Sequence, residues 1–229
     1  MSVRSKLLWL TVWSLAFGLL EGAVVTYLRR LFYAGAPLDA PLFPLRVSGG
    51  DVLATEIARE AATLVMLAGI AMLAERRAER RFAAFALSFG LWDLAYYAML
   101  KAAIGWPRGL LEWDILFLIP APWASPVLAP VLISLALVGC AALLLLRREG
   151  APPALRGRDW WALVACGALV LATFFWNTPR IARLELPRDY PWWLFTLGWL
   201  AGLAGFARAW RRARGPGPPR AADRAAARG

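Results

Sequence analysis

Val127-Leu-Ala-Pro-Val-Leu-Ile-Ser-Leu-Ala-Leu-Val-Gly-Cys-Ala-Ala-Leu-Leu-Leu-Leu146 runs for twenty residues without an Asp, Glu, Lys or Arg, then stops at Arg147-Arg148. At about 1.5 Å per residue, such a run makes a helix about 30 Å long, the thickness of a bilayer's hydrocarbon core. Backbone in lipid must pair its N–H and C=O groups internally, and a helix does so within the segment. The stretch therefore predicts a transmembrane helix.

Outward from it, five further runs read the same way, at 7–31, 52–74, 82–104, 160–177 and 191–210. The expected fold is an all-α, polytopic transmembrane helical bundle of six spans, one domain over 1–214. A disordered basic tail, 215–229, made mostly of Pro, Gly, Ala and Arg, should follow it. Composition agrees: 60% of the residues are hydrophobic, 18% are charged and the mean hydropathy is +0.54. A soluble domain is about half apolar and a quarter charged. Many of the 13 Trp stand near run ends, where amphipathic rings favour the headgroup level. The first run follows Arg4 and Lys6 as a signal peptide would, but continues past Glu21 without a small-residue cleavage site, so it reads as a span.

The formal charge of +11 would point to nucleic acid in a soluble chain. Here the basic residues flank apolar runs instead of lining one face, so no nucleic-acid partner is expected and membrane lipids are. Arg4, Lys6, Arg76, Arg77, Arg80, Arg81, Arg147, Arg148, Arg156, Arg158 and the tail from Arg208 fall on one side. Arg29, Arg30, Arg46, Lys101, Arg108, Arg180, Arg183 and Arg188 fall on the other. The richer side is cytoplasmic by the positive-inside rule, and six spans then put both termini there. The expected location is a prokaryotic inner membrane.

The third-to-fourth connection departs from this pattern. Gly109-Leu-Leu-Glu-Trp-Asp-Ile-Leu-Phe-Leu-Ile119 is apolar but too short to span, and Pro120, Pro122, Pro126 and Pro130 follow. Over 109–126 it reads either as an amphipathic helix lying on the outer interface or as a re-entrant piece buried in protein.

There is no His. That removes His-ligated haem, most zinc sites and His-based acid/base chemistry. Cys140 and Cys166 form no CxxC motif and read as packing residues. Ionisable residues inside spans are costly and usually face the bundle interior. Glu21, Glu56, Arg59, Glu60 and Asp93 are such residues; Tyr97 and Lys101 lie one and two turns beyond Asp93; Glu112 and Asp114 open the short segment; Asn177 and Arg180 end the fifth run. The topology brings all of them to the outer half. The expected site is an acid-rich pocket there, walled by aromatics such as Trp92, Tyr96, Trp106, Trp113, Trp123 and Trp176. Glu60, Asp93 and Tyr97 are the candidate catalytic groups. Arg59, Lys101, Glu112, Asp114, Asn177 and Arg180 are candidates for substrate binding. Glu21, Glu56, Glu60 and Asp93 offer only oxygen ligands, which suit a hard divalent cation such as Mg²⁺, Ca²⁺ or Mn²⁺.

The stretches Glu21-Gly-Ala-Val-Val-Thr-Tyr-Leu-Arg29, Arg59-Glu-Ala-Ala-Thr63, Phe89-Gly-Leu-Trp-Asp-Leu-Ala-Tyr-Tyr97 and Trp113-Asp-Ile-Leu-Phe-Leu-Ile-Pro-Ala-Pro-Trp123 resemble those of uncharacterised prokaryotic multi-pass membrane proteins. The resemblance covers roughly the first 130 residues. It implies a membrane bundle and brings no activity with it. Three functions stay open: a membrane-embedded enzyme acting on a lipid or small substrate with a carboxylate-bound cation, a small-solute or ion transporter, and a structural subunit. The last would have a membrane partner or a second copy of the chain.

Overall fold

The computed structural model describes residues 2–32, 35–43, 50–148 and 151–214; the expected basic tail lies outside the described residues. The chain is mostly helical, at 72%. Its elements are α1 (Val3–Phe32), α2 (Gly50–Ala74), α3 (Ala78–Ile104), β1 (Trp113–Phe117), β2 (Trp123–Pro126), α4 (Leu128–Leu146), α5 (Gly157–Phe174), the single turn α6 (Thr178–Ile181) and α7 (Trp192–Arg214).

Among the described residues, five helices are long and apolar enough to cross a membrane: α1 to α4, and α5 continued through α6. α7 is long as well, but its Trp and Gly residues and Arg208 make it less apolar than those five. Large side chains such as Leu8, Leu19, Val65, Leu73, Leu146 and Trp161 are exposed on the outside of the bundle. An apolar surface of that extent is unfavourable in water. Together these features are compatible with a multi-pass integral membrane protein.

α3 is the centre. Of its apolar window 56% is buried, against 22% for α2. α1, α2 and α4 pack on α3, whereas α5 pairs with α7. That pair joins the rest through Ala129, Val170, Phe174, Tyr190 and Phe195. The contacts also fix the directions. Gly18 and Gly22 of α1 lie against Trp92–Ala95 and Tyr96–Met99, so α1 runs parallel to α3. Arg80 reaches Leu145 while Asp93 reaches Ser134, so α4 runs antiparallel. The bundle thus has an arginine-rich end, where α1 starts, α2 ends, α3 starts and α4 ends, and an acidic end opposite.

The segment after α3 corrects the amphipathic-helix reading. It is a two-stranded antiparallel hairpin, pairing Trp113 with Pro126, Asp114 with Ser125, Ile115 with Ala124 and Phe117 with Trp123. Ala124 and Ser125 are fully buried, so the hairpin packs within the bundle instead of lying on its surface. A bulge between Ile115 and Phe117 shifts the alternation, which lets Asp114 and Phe117 both be buried.

Close helix approach depends on missing side chains. A Cβ on Gly18 would collide with the Trp92 carbonyl, and one on Gly90 would stand 2.7 Å from the Ser134 carbonyl oxygen. Gly69 has nothing within 4 Å. Gly18→Ala and Gly90→Ala should each lose about 1–3 kcal/mol from overpacking, beyond the ~1 kcal/mol that Ala gains in a helix. Gly69→Ala should keep that gain. Thermal unfolding of the three variants in detergent checks this, and equal midpoints for all three would refute it.

Candidate functional site

On α3, Phe89, Trp92, Asp93, Tyr96 and Tyr97 recur at three- and four-residue spacing and share one face. On α2, Glu56, Arg59, Glu60 and Thr63 do the same. These two faces meet Glu21 of α1, the hairpin and the first half of α4 around a partly open cavity of about 120 Å³. Its polar lining includes Glu21, Arg59, Glu60, Thr63, Asp93 and Asp114. Phe89, Trp92, Phe117, Trp123 and Phe174 supply aromatic wall. A cavity of that volume has room for several waters or a small organic group.

The charges divide into two sets. Arg59 is held between two acids: its Nε and Nη2 lie 2.9 Å from Glu56 Oε2 and its Nη1 faces Glu21. Thr63 Oγ1 donates to the same Glu21 carboxylate at 3.3 Å. The pair locks α1 to α2. The other three carboxylates have uncharged donors. Glu60 accepts the Leu118 backbone N–H at the hairpin tip (2.7 Å). Asp93 accepts the Ser134 hydroxyl from α4 (2.7 Å). Asp114 accepts the Tyr97 hydroxyl (2.9 Å). Glu60 and Asp93 are each 8% exposed and Asp114 is 3% exposed, so their charges are poorly solvated. Burial pushes the Asp114 carboxyl up to about 7, against the Tyr97 hydrogen bond and the charge of Arg29, which pull it down. Buried Arg29 itself donates to the Leu38 and Ala40 carbonyls and lies 4.2 Å from the Trp106 ring centroid.

Of the sequence candidates, Glu21, Arg59, Glu60, Asp93, Tyr97 and Asp114 line the cavity. Glu56 stands behind Arg59. Four others turn to local partners. Lys101 donates to the Gly105 and Pro107 carbonyls past the end of α3. Glu112 accepts from the Trp106 indole and the Arg108 N–H. Asn177 brackets Arg188 through its N–H and C=O. Arg180 pairs with Glu185. As for the expected metal set, no three acidic side chains among the described residues stand as one group around a common point. Glu21 and Glu56 turn to Arg59, Glu60 to the hairpin and Asp93 to α4. Of the expected aromatic wall, Trp92, Tyr96 and Trp123 line the cavity, whereas Trp176 is exposed and Trp106 packs under Arg29.

Sequence reasoning missed Ser134 and Thr63. The signal was present for Ser134, a lone hydroxyl in the apolar run of α4. It also missed the buried pair Glu75–Arg80 at the arginine-rich end, bidentate at 3.0 Å.

A carboxyl that ionises near 7 in the fold and near 3.8 when exposed takes up a proton on folding. Its contribution to stability is present at low pH and is lost as pH rises from about 4 through about 7. Asp114→Asn should therefore flatten the dependence of the unfolding midpoint on pH across that window, gaining on the wild type as pH rises. Parallel curves for the two proteins would count against an Asp114 proton taken up on folding.

Compared with known protein families, curated proteins and solved structures, the chain matches none, so the reading of this cavity rests on its own geometry.

Proposed function

We propose that the chain is a six-span protein of a prokaryotic inner membrane, with both termini cytoplasmic and the acidic cavity facing outward, and that it is a membrane-embedded enzyme acting on a small substrate or lipid headgroup that carries a positive charge. One observation carries the reading. Glu60, Asp93 and Asp114 come from α2, α3 and β1 to one aromatic-walled cavity, each held by an uncharged donor, while the one arginine in its lining is engaged by Glu21 and Glu56. A purely structural charge network would pair these acids with cations, as happens between Glu75 and Arg80. An acid excess beside Trp92, Trp123 and Phe117 favours an organic ammonium, which gains from both carboxylates and aromatic faces. A hard divalent ion would need a set of oxygens that these side chains do not present as a group.

Asp93 and the Tyr97–Asp114 pair are the groups best placed to take or give a proton at a bound substrate. Passage through the bundle is the weaker reading. Between the cavity and the arginine-rich end the described interior is packed largely by Leu10, Ala83, Ala86, Leu87 and Leu144, with the small hydroxyls of Ser14 and Ser88 buried beside them and no ionisable group among these residues.

Choline and ethanolamine titrated into the purified protein should raise the unfolding midpoint saturably, because a ligand binding only the folded state stabilises it by mass action. Asp93→Asn should weaken that response about tenfold or more, the loss of roughly one charge-assisted contact. A saturable response to Mg²⁺ but to neither ammonium would return the site to a metal, and no response to any of the three would remove the ligand from the reading.

The orientation is tested separately. In a background of Cys140→Ala and Cys166→Ala, the variant Arg76→Cys should resist a membrane-impermeant thiol reagent in intact cells and react after lysis. Labelling from outside would reverse the orientation and the facing of the cavity together.

A further inference from the structure

At the arginine-rich end, α1 and α2 both pack on α3 but leave a crevice of about 820 Å³ between themselves. Its floor is apolar, made by Trp9, Leu10, Trp13, Ile70 and Leu73. Its rim is basic, made by Lys6, Arg76, Arg77 and Arg80 around one carboxylate, Glu75. That carboxylate is already taken: both oxygens accept from Arg80 at 3.0 Å, and Lys6 Nζ stands 3.6 Å from one of them. Arg76 and Arg77 are exposed. From Lys6 to Trp13, α1 descends about 10 Å at 1.5 Å per residue. A cationic rim therefore sits over an apolar slot of that depth, which opens towards the outside of the bundle.

From this arrangement we infer that the crevice between α1 and α2 is a binding site for an anionic phospholipid, with the phosphate on Lys6, Arg76 and Arg77 and an acyl chain against Trp9, Trp13 and Leu73. The order of chemistry along the slot is the order along a lipid. A free phosphate would engage the rim but leave the tryptophan wall wet, forgoing the apolar burial. A zwitterionic lipid would fill the slot but bring an ammonium against the basic rim of Lys6, Arg76 and Arg77. Basic pockets between membrane helices select anionic headgroups for this reason. The site lies at the opposite end from the acidic cavity and does not depend on what that cavity binds or on which way the protein faces.

The test is native mass spectrometry of the purified full chain, mixed with phosphatidylglycerol or phosphatidylcholine of identical chains. Phosphatidylglycerol should be retained about tenfold over phosphatidylcholine. Arg76→Gln with Arg77→Gln should remove most of that preference, as two surface cations are worth roughly that much. Arg147→Gln with Arg148→Gln, at the same end but outside the crevice, should leave it intact. Arg76, Arg77 and Arg148 are exposed and Arg147 is partly so, and the unfolding midpoint confirms that both double variants fold. Equal retention of the two lipids would overturn the proposal. So would equal loss in the two double variants, which would mean a general field of positive charge. Displacement of the lipid by millimolar inorganic phosphate would mean that the rim is a free-anion site.

Discussion

Backbone N–H and C=O groups buried away from water have to find partners inside the protein, and the hairpin between α3 and α4 is where that requirement is hardest to meet. The ladder from Trp113 to Pro126 satisfies the strands. Two further bonds extend it towards α4: the Val127 N–H reaches the Glu112 carbonyl and the Leu128 N–H reaches Leu110. The tip is satisfied by side chains from elsewhere. Glu60 takes the Leu118 N–H, and the Thr178 hydroxyl donates to the Pro122 carbonyl. Pro120 and Pro122 have no N–H to satisfy. The proline content that makes the segment a poor helix thus makes it a workable buried turn. It also means that Glu60 has a structural task, so a functional case at the cavity leans more on Asp93 and Asp114, whose hydroxyl partners a protonated or an ionised carboxyl serves equally.

The two ends of the bundle treat acids differently. At the arginine-rich end, Glu75 is bidentate with Arg80, Asp159 pairs with Arg212, and Arg80 also caps the Leu145 and Arg147 carbonyls at the end of α4. These are closed networks in which each charge meets its opposite, the arrangement that limits the cost of burial. Around the cavity at the acidic end, one guanidinium serves two carboxylates and the other three carboxylates accept from neutral donors. The same residue types therefore fix loops at one end and leave chemistry available at the other.

Much of this was legible in the sequence, and the limits are instructive. The helix of Val127–Leu146 is dictated by the bilayer-length apolar run, and in the structure α4 begins one residue later. Depth was legible too, because counting residues along a span places Asp93, Glu60 and Glu21 at one level. Direction around the helix axis was less so. Lys101 lies on the same face as Asp93 but two turns further on, where the end of α3 offers it the Gly105 and Pro107 carbonyls. Asn177 and Arg180 share a level with the site but turn to the loop around 185–188. The hairpin was hidden for a different reason. A short apolar run is equally compatible with strand and helix, and the bulge after Ile115 erases the alternation that would have distinguished them.

The Arg59 network carries the last step. A single guanidinium between Glu21 and Glu56 leaves even that cluster one charge short of neutral, so the acidity of the cavity does not come from Glu60, Asp93 and Asp114 alone. Isolated charges are expensive in a low-dielectric interior. On the proposed reading, a cationic guest would meet carboxylates whose own donors are neutral, and that unmatched acidity is the physical condition a carboxylate-lined site needs in order to hold a positively charged group.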